Sequence, residues 1–283
     1  MKKKILMALF AAMSLVTLAA CAPNSNQVTV GGSTAMKPLV EQVSLDYMKK
    51  YPEDIIMVQG GGSGVGLAQV VAGSFQIGNS DIFAEEKSGI DASKITGNKV
   101  AVVGFAPIVN RNLDLSNVTQ DQLIDIFTGK VKNWKEVGGP DQEITVIGRT
   151  AGSGTRVNFD NLALNGAREI DGPTQDASGS VVQLVGQTPG AISYVAFSYL
   201  DKSKDIKAVS IDNVKPTDEN VADNSYKVWS YEHMYTNKEK ETAAETDFIK
   251  YVTEDTKTIK ELGYIPVSDM KVERDAQGKI TNK

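Results

Sequence analysis

Histidine and cysteine are almost missing from this 283-residue chain, which has one of each. A single cysteine excludes an intramolecular disulfide, and one histidine with one cysteine leaves too few ligands for a zinc site. No G-x-x-x-x-G-K-[ST] loop is present, so the usual nucleoside-triphosphate cradle is excluded. The G-x-S-x-G elbow of hydrolases is absent too: Ala151 stands two positions before Ser153, and Val65 two positions after Ser63. The lone imidazole, His233 in SYEHMYT, is therefore expected to be structural, and no catalytic activity and no cofactor are expected. Excess positive charge is also lacking. The formal net charge is −5, which argues against nucleic acid or an anionic lipid surface as partner.

The amino terminus stands apart in composition. Lys2, Lys3 and Lys4 precede an apolar run from Ile5 to Ala20, broken only by Ser14 and Thr17. It is short for a membrane span, and its basic start and small-residue end fit a secretory signal over residues 1–20. The run closes in Leu18-Ala19-Ala20-Cys21, which resembles the lipobox of bacterial lipoproteins. That resemblance implies acylation of Cys21 and attachment to the membrane through lipid alone. Residues 21–27 then form a lipidated tether. Removing residues 1–20 takes away three lysines and no acid, leaving 27 basic against 35 acidic residues and a net charge of −8.

Beyond the tether one pattern recurs: strand, small-residue loop, helix. QVTV leads into GGSTAM, then Met36, Leu39, Val40, Val43 and Tyr47 at helical spacing. DIIMV leads into QGGGSGVG, then Leu67, Val70 and Val71 on one face. ITVIG leads into RTAGSGT, with apolar spacing resuming at Val157 and Leu162. The alternation predicts an α/β fold with mainly parallel sheets, ligands lying beyond the carboxyl ends of the strands. VAVVGFAPIVN reads as a buried strand whose end at Pro107 crosses into a second lobe. Residues 28–106 with 230–283 are assigned to lobe 1, and 107–229 to lobe 2. Trp134 is expected to pack in lobe 2, and the charged tail KVERDAQGKITNK to fray.

The loops carry the chemistry. A helix start presents backbone N–H groups without internal partners at the positive end of the helix dipole. Glycine permits close approach, and Ser or Thr adds a hydroxyl. One such loop usually marks a mere N-cap, but three converging would form a neutral-donor cage for a small tetrahedral anion. Arg149 would add one full charge able to bond two oxygens. Arg156 reads instead as a surface or lobe-interface charge. Asp81, at the end of FQIGNSD, is an acceptor only when ionised. Facing an anion it repels, unless the ligand has a proton to donate. Phosphate keeps an O–H at neutral pH and sulfate does not, so Asp81 would turn a general oxyanion cage into a phosphate-selective one.

GGSTAM, QGGGSGVG, IGNSD and GRTAGSGTR, in this order and spacing, resemble the substrate-binding lipoprotein of the bacterial ABC phosphate importer, the PstS family. IFTGKVKNWKEVGG and PGAISYV resemble it as well, so the likeness covers essentially the whole mature chain. It implies a two-lobed solute-binding fold with a hinge, phosphate held between the lobes, and an ABC permease as partner. The contacts carried over are Thr34, the backbone of Ala35, Ser63, Asp81, Arg149, Ser153, Gly154 and Thr155. Two positions depart from the family pattern. Ala35 stands where some members have a large aromatic residue, and Ala151 where some members have an acid that pairs with the arginine. A monomer is expected, on the outer face of a single-membrane, Gram-positive bacterium, a two-membrane host being the alternative. Two other readings stay open: a surface lipoprotein of this fold with a signalling or adhesion role, and a receptor for another oxyanion such as sulfate or molybdate.

Overall fold

The computed structural model describes residues 26–283, so the signal segment, the lipobox with Cys21 and all but the end of the tether lie outside the described residues. Strand β1 (Gln27–Gly32) is followed by helix α1 (Lys37–Lys50), β2 (Ile55–Gln59), α2 (Ser63–Ala72) and β3 (Ile77–Ser80). These are the first two strand–loop–helix units of the sequence. The five residues expected on one face, Met36 at the cap of α1 and Leu39, Val40, Val43 and Tyr47 within it, are all buried. Pro38 presets its first turn, and Lys49 and Lys50 lie at the negative end of its dipole. Strands β2 and β3 both pair with β1 in parallel.

Strand β4 (Ile95–Asn110) is the longest element of the sheet. The expectation that it ends at Pro107 is not met, because the strand runs through the proline. Its first part pairs antiparallel with the late strand that follows Val228, and from Phe105 to Val109 it pairs antiparallel with the segment Ala191–Ala196. Pro107 lies where partners change on one edge, between Gly104 and Ile108, and its carbonyl accepts the Val209 N–H at 2.9 Å. A missing N–H on that edge costs no ladder bond.

The middle of the chain builds the second half of the sheet. After β5 (Asn117–Val118) and α3 (Gln120–Phe127) come the short β6 (Thr145–Val146) and β7 (Gly148–Arg149), then α4 (Gly154–Leu162), β8 (Thr174–Gln175) and α5 (Ser178–Gln187). Strand β9 (Ala191–Ala196) pairs with β4 and, in parallel, with β6, and β10 (Ile206–Ala208) pairs with β4. Strand β11 (Ser210–Ile211) pairs with β5, and α6 (Asp218–Ala222) precedes β12 (Trp229–Asn237). The sheet is therefore mixed rather than mainly parallel, with order β2-β1-β3-β12-β4-β9-β6 and β10 also on β4. Its parallel strands lie toward the ends, and antiparallel β12 and β4 hold the middle. Trp134 is fully buried and donates its indole N–H to the Gly190 carbonyl at 3.0 Å.

Helices α7 (Ala243–Glu254) and α8 (Thr256–Glu261) return to the first half. The tail does not fray: β13 (Val272–Arg274) and β14 (Ile280–Asn282) form a hairpin. What ties it down is Arg274, whose guanidinium lies 4.5 Å from the Trp229 ring centroid and donates to the Trp229 carbonyl.

Period-two alternation sorts β12 into two faces. On one of them His233 stacks on Tyr235 and meets Tyr231 edge-on, with the Phe83 ring 4.7 Å away. His233 is structural, as expected. Burial first, then the nearby Lys99, push its pKa down to about 3. The folded chain thus refuses a proton that the unfolded chain accepts below about pH 6.5. Stability from this group is present above that pH and is lost as pH falls toward 3, by about 1.4 kcal/mol per pH unit. His233→Phe should therefore lose about 2 kcal/mol less than the parent between pH 7 and pH 5, as read from urea unfolding.

Candidate functional site

Four helix starts converge between the two halves of the sheet. Ser63 opens α2, and its hydroxyl oxygen accepts the Asp81 N–H at 3.0 Å, which leaves its own proton to donate. Ser153 caps α4, accepting the Arg156 N–H at 3.2 Å. The cap reading and the donor reading are therefore compatible, since the Ser153 O–H is still available. Gly154 and Thr155 occupy the first turn of α4, where backbone N–H groups have no helical acceptor. Thr34 precedes α1. Its Oγ1 accepts from Arg149 Nη2 at 3.2 Å and from the Ser178 N–H at 3.3 Å. Ala35 beside it is fully buried, and its carbonyl accepts the hydroxyls of Tyr264 at 2.6 Å and Ser198 at 3.3 Å.

Arg149 is 1% exposed. Ala151 offers it no carboxylate, and the guanidinium is held by main-chain carbonyls: Nε donates to Gln175 at 3.1 Å and Nη2 to Asp176 at 3.0 Å. Nη1 has no partner among the described residues. Burial pushes this guanidinium down from its ordinary value, while Tyr194 and Asp81 act in the opposite direction. Asp81 is equally buried. Its Oδ2 accepts the Thr155 hydroxyl at 2.8 Å, and its carbonyl accepts Asn158 Nδ2 at 2.8 Å. Asp81 Oδ1 has no partner among the described residues. A buried cation and a buried acceptor, each with one unsatisfied atom, mark this as a place built for a polar ligand.

The halves touch across the site. The Gly64 N–H donates to the Gly152 carbonyl at 3.0 Å, and the Thr155–Asp81 and Arg149–Thr34 bonds also cross. Two glycines make that approach possible. Gly62 has φ of +88°, and a Cβ there would lie 2.8 Å from the Gly152 carbonyl oxygen; a Cβ on Gly154 would lie 2.2 Å from Ser63 Oγ. The eight residues singled out in the sequence thus lie in one region.

Other residues of the region were not singled out. Ser178 starts a fourth helix, α5, with its hydroxyl 3.1 Å from Thr34 Oγ1. ASGS before the apolar run repeats the small-residue signal of the other three loops. Asn158 and the two tyrosines whose hydroxyls fix Thr34 and Ala35, Tyr199 and Tyr264, carry no such signal. Arg156 is a second support: its Nη1 donates to the Arg149 carbonyl at 2.6 Å, and its Nε lies 3.4 Å from Asp160 and 3.8 Å from Glu169. Among the described residues no group of three or more His, Cys, Asp or Glu could hold a metal ion, and no helix is long and apolar enough to cross a membrane.

Neutral donors between two α/β halves are the build of a solute-binding protein, and residues 18–256 match the family model described as PBP superfamily domain. Among the relatives, the "Phosphate-binding protein PstS" of Bacillus subtilis is 49% identical over 258 residues, 90% of this chain and 85% of that protein. The chain belongs to the PstS family of that superfamily. The PstS of Borreliella burgdorferi is 27% identical over 94% of this chain and 99% of its own length. A provisionally assigned phosphate ABC transporter substrate-binding protein from Clostridium perfringens, solved with bound phosphate, superposes with TM-score 0.81 at 30% identity. It covers 86% of this chain and 100% of its own. An ABC-type phosphate transport receptor from Vibrio cholerae gives TM-score 0.68 at 27% identity, over 84% and 99% of the two chains.

Glu169 supplies a pH test of the Arg149 support. Burial raises its pKa to about 7, with Asp160 adding to the rise and Arg156 opposing it. Burial wins because Arg156 is already engaged by Asp160 and the Arg149 carbonyl. The folded pKa lies above the unfolded one, so stability from this group is full below about pH 4.5 and lost as pH rises through 7. Glu169→Gln should therefore gain on the order of 2–3 kcal/mol relative to the parent between pH 4.5 and pH 8, measured by denaturant unfolding.

Proposed function

We propose that this chain is a high-affinity receptor for inorganic phosphate that delivers its ligand to an ABC permease. The phosphate contacts in this reading are Thr34, the backbone N–H of Ala35, Ser63, Asp81, Arg149, Ser153, Gly154 and Thr155. The observation that carries it is the pair of unsatisfied buried atoms, Arg149 Nη1 and Asp81 Oδ1, among four helix starts. A guanidinium and helix N-termini favour an anion. An ionised Asp81 accepts only from an anion that still carries a proton, which hydrogen phosphate does and sulfate does not. The Ser63 and Ser153 hydroxyls, already accepting the Asp81 and Arg156 N–H groups, have their protons free to turn toward the ligand.

Residues 28–106 with 230–283 move in this proposal as one lobe and 107–229 as the other, by hinge closure. The contacts across the site correspond to the closed arrangement. Cys21, acylated after removal of residues 1–20, anchors the receptor to the outer face of the cell membrane, where it acts as a monomer. No step of this role requires bond-making chemistry, and we assign none.

Calorimetric titration of ligand-stripped protein tests the reading. Phosphate should bind tightly and sulfate about 10³-fold more weakly, with Asp81→Asn narrowing that gap. Arg149→Lys, which keeps the charge but loses the planar fork, should weaken phosphate about 10- to 100-fold. Equal affinity for both anions would leave a general oxyanion receptor, and binding of neither would reject the receptor role.

A further inference from the structure

Strand β12 carries a second carboxylate to the same place. It pairs antiparallel with β3, His233 opposite Ser80 and Met234 opposite Asn79. Glu232 precedes His233 and Asp81 follows Ser80 at the end of β3, and the two carboxyl groups interact there. Glu232 is fully buried, and neither of its oxygens has a hydrogen-bond partner among the described residues. No lysine or arginine lies within ion-pair distance of it among the described residues, unlike the exposed acids of α1, α7 and α8.

The groups around it are accounted for. Ala101 stands opposite on β4 and brings no polar side chain. Tyr264 and Tyr199 are nearby, but their hydroxyl protons go to the carbonyls of Ala35 and Thr34. Arg149 interacts with the Asp81 side of the pair. Asp81 retains one unpartnered oxygen, Oδ1, since Oδ2 takes the Thr155 hydroxyl. Two buried carboxyl groups so placed cannot both be ionised. Burial first, and then Asp81, hold Glu232 well above the ordinary carboxylate range.

We propose that Glu232 is a specificity-determining positioning residue that stands behind Asp81 as a neutral carboxylic acid and donates its O–H to one lone pair of Asp81 Oδ1, leaving the second lone pair of that oxygen for the ligand. It thereby fixes Asp81 as the ionised member of the pair, the one that accepts the proton of hydrogen phosphate. This inference rests on the phosphate reading above. The pair carries one negative charge and one proton, so the only proton demand left in the site is met by the ligand. Without the Glu232 donor, Asp81 loses the hydrogen bond that favours its acceptor-only form, and a side chain there that can donate meets sulfate as readily as phosphate.

The test compares the parent with Glu232→Gln, which keeps a donor, and Glu232→Met, which keeps the volume without one. Above about pH 8, where Glu169 has lost its proton, the infrared difference between the parent and Glu232→Gln should show the C=O band of one buried protonated carboxylic acid present in the parent alone. Titrations with inorganic phosphate and sulfate should show the selectivity ratio narrowed about tenfold in Glu232→Met and less in Glu232→Gln. A purely structural role would weaken both anions together and leave the ratio unchanged, and that result would overturn the proposal. So would a spectrum in which Glu232→Gln removes no carboxylic-acid band. If the parent bound no phosphate, the receptor reading and the selectivity role would both fall. The infrared comparison would still decide separately whether Glu232 holds a proton.

Discussion

One buried cation organises this molecule. Taking a guanidinium out of water costs several kcal/mol, and the cost must be met by hydrogen bonds to its own nitrogens. Arg149 meets it with two main-chain carbonyls from the Gln175–Asp176 turn and with the Thr34 hydroxyl from the other half of the sheet. The carbonyls lie within its own half and the hydroxyl in the other, so one side chain is bonded to both.

The rest of the site follows from keeping that charge uncompensated by protein acids except at one place. Helix starts, hydroxyls and main-chain N–H groups are neutral, so they stabilise an anion without adding positive charge that would hold any anion equally. Asp81 is the exception, and its Thr155 bond joins the two halves as Arg149–Thr34 does. The chain carries a formal net charge of −5, so attraction has to come from local dipoles rather than the overall field.

Much of this was legible from residue order, for physical reasons that can be named. Repetition of β-formers, small polar residues and helical apolar spacing exposes the first units, because each step has a composition of its own. Leu39, Val40 and Val43 fall on the buried face of α1 as their spacing requires. Other features have no local signature. Main-chain carbonyls hold Arg149, and a carbonyl looks the same in every residue. Glu232 lies in a strand whose every residue is buried, so alternation of polar and apolar types does not mark its inner face. The antiparallel β4–β12 pair joins segments more than a hundred residues apart, and the tail hairpin depends on Arg274 reaching Trp229. Pairing at such distance is decided by tertiary packing rather than by neighbours in sequence.

Strand β4 has a consequence for affinity. It runs unbroken from one half to the other, paired with β12 before Phe105 and with β9 after it. Beside the crossing, the Phe105 N–H donates to Val228 and the Phe105 carbonyl accepts the Tyr226 hydroxyl, so the returning chain is laced to the same point. In the proposed hinge closure, such a connection would leave the halves few relative orientations, so little entropy would be surrendered when an anion draws them together. A ligand of only five heavy atoms offers few contacts, and a receptor for it can bind tightly only if almost none of that interaction is spent on ordering the protein.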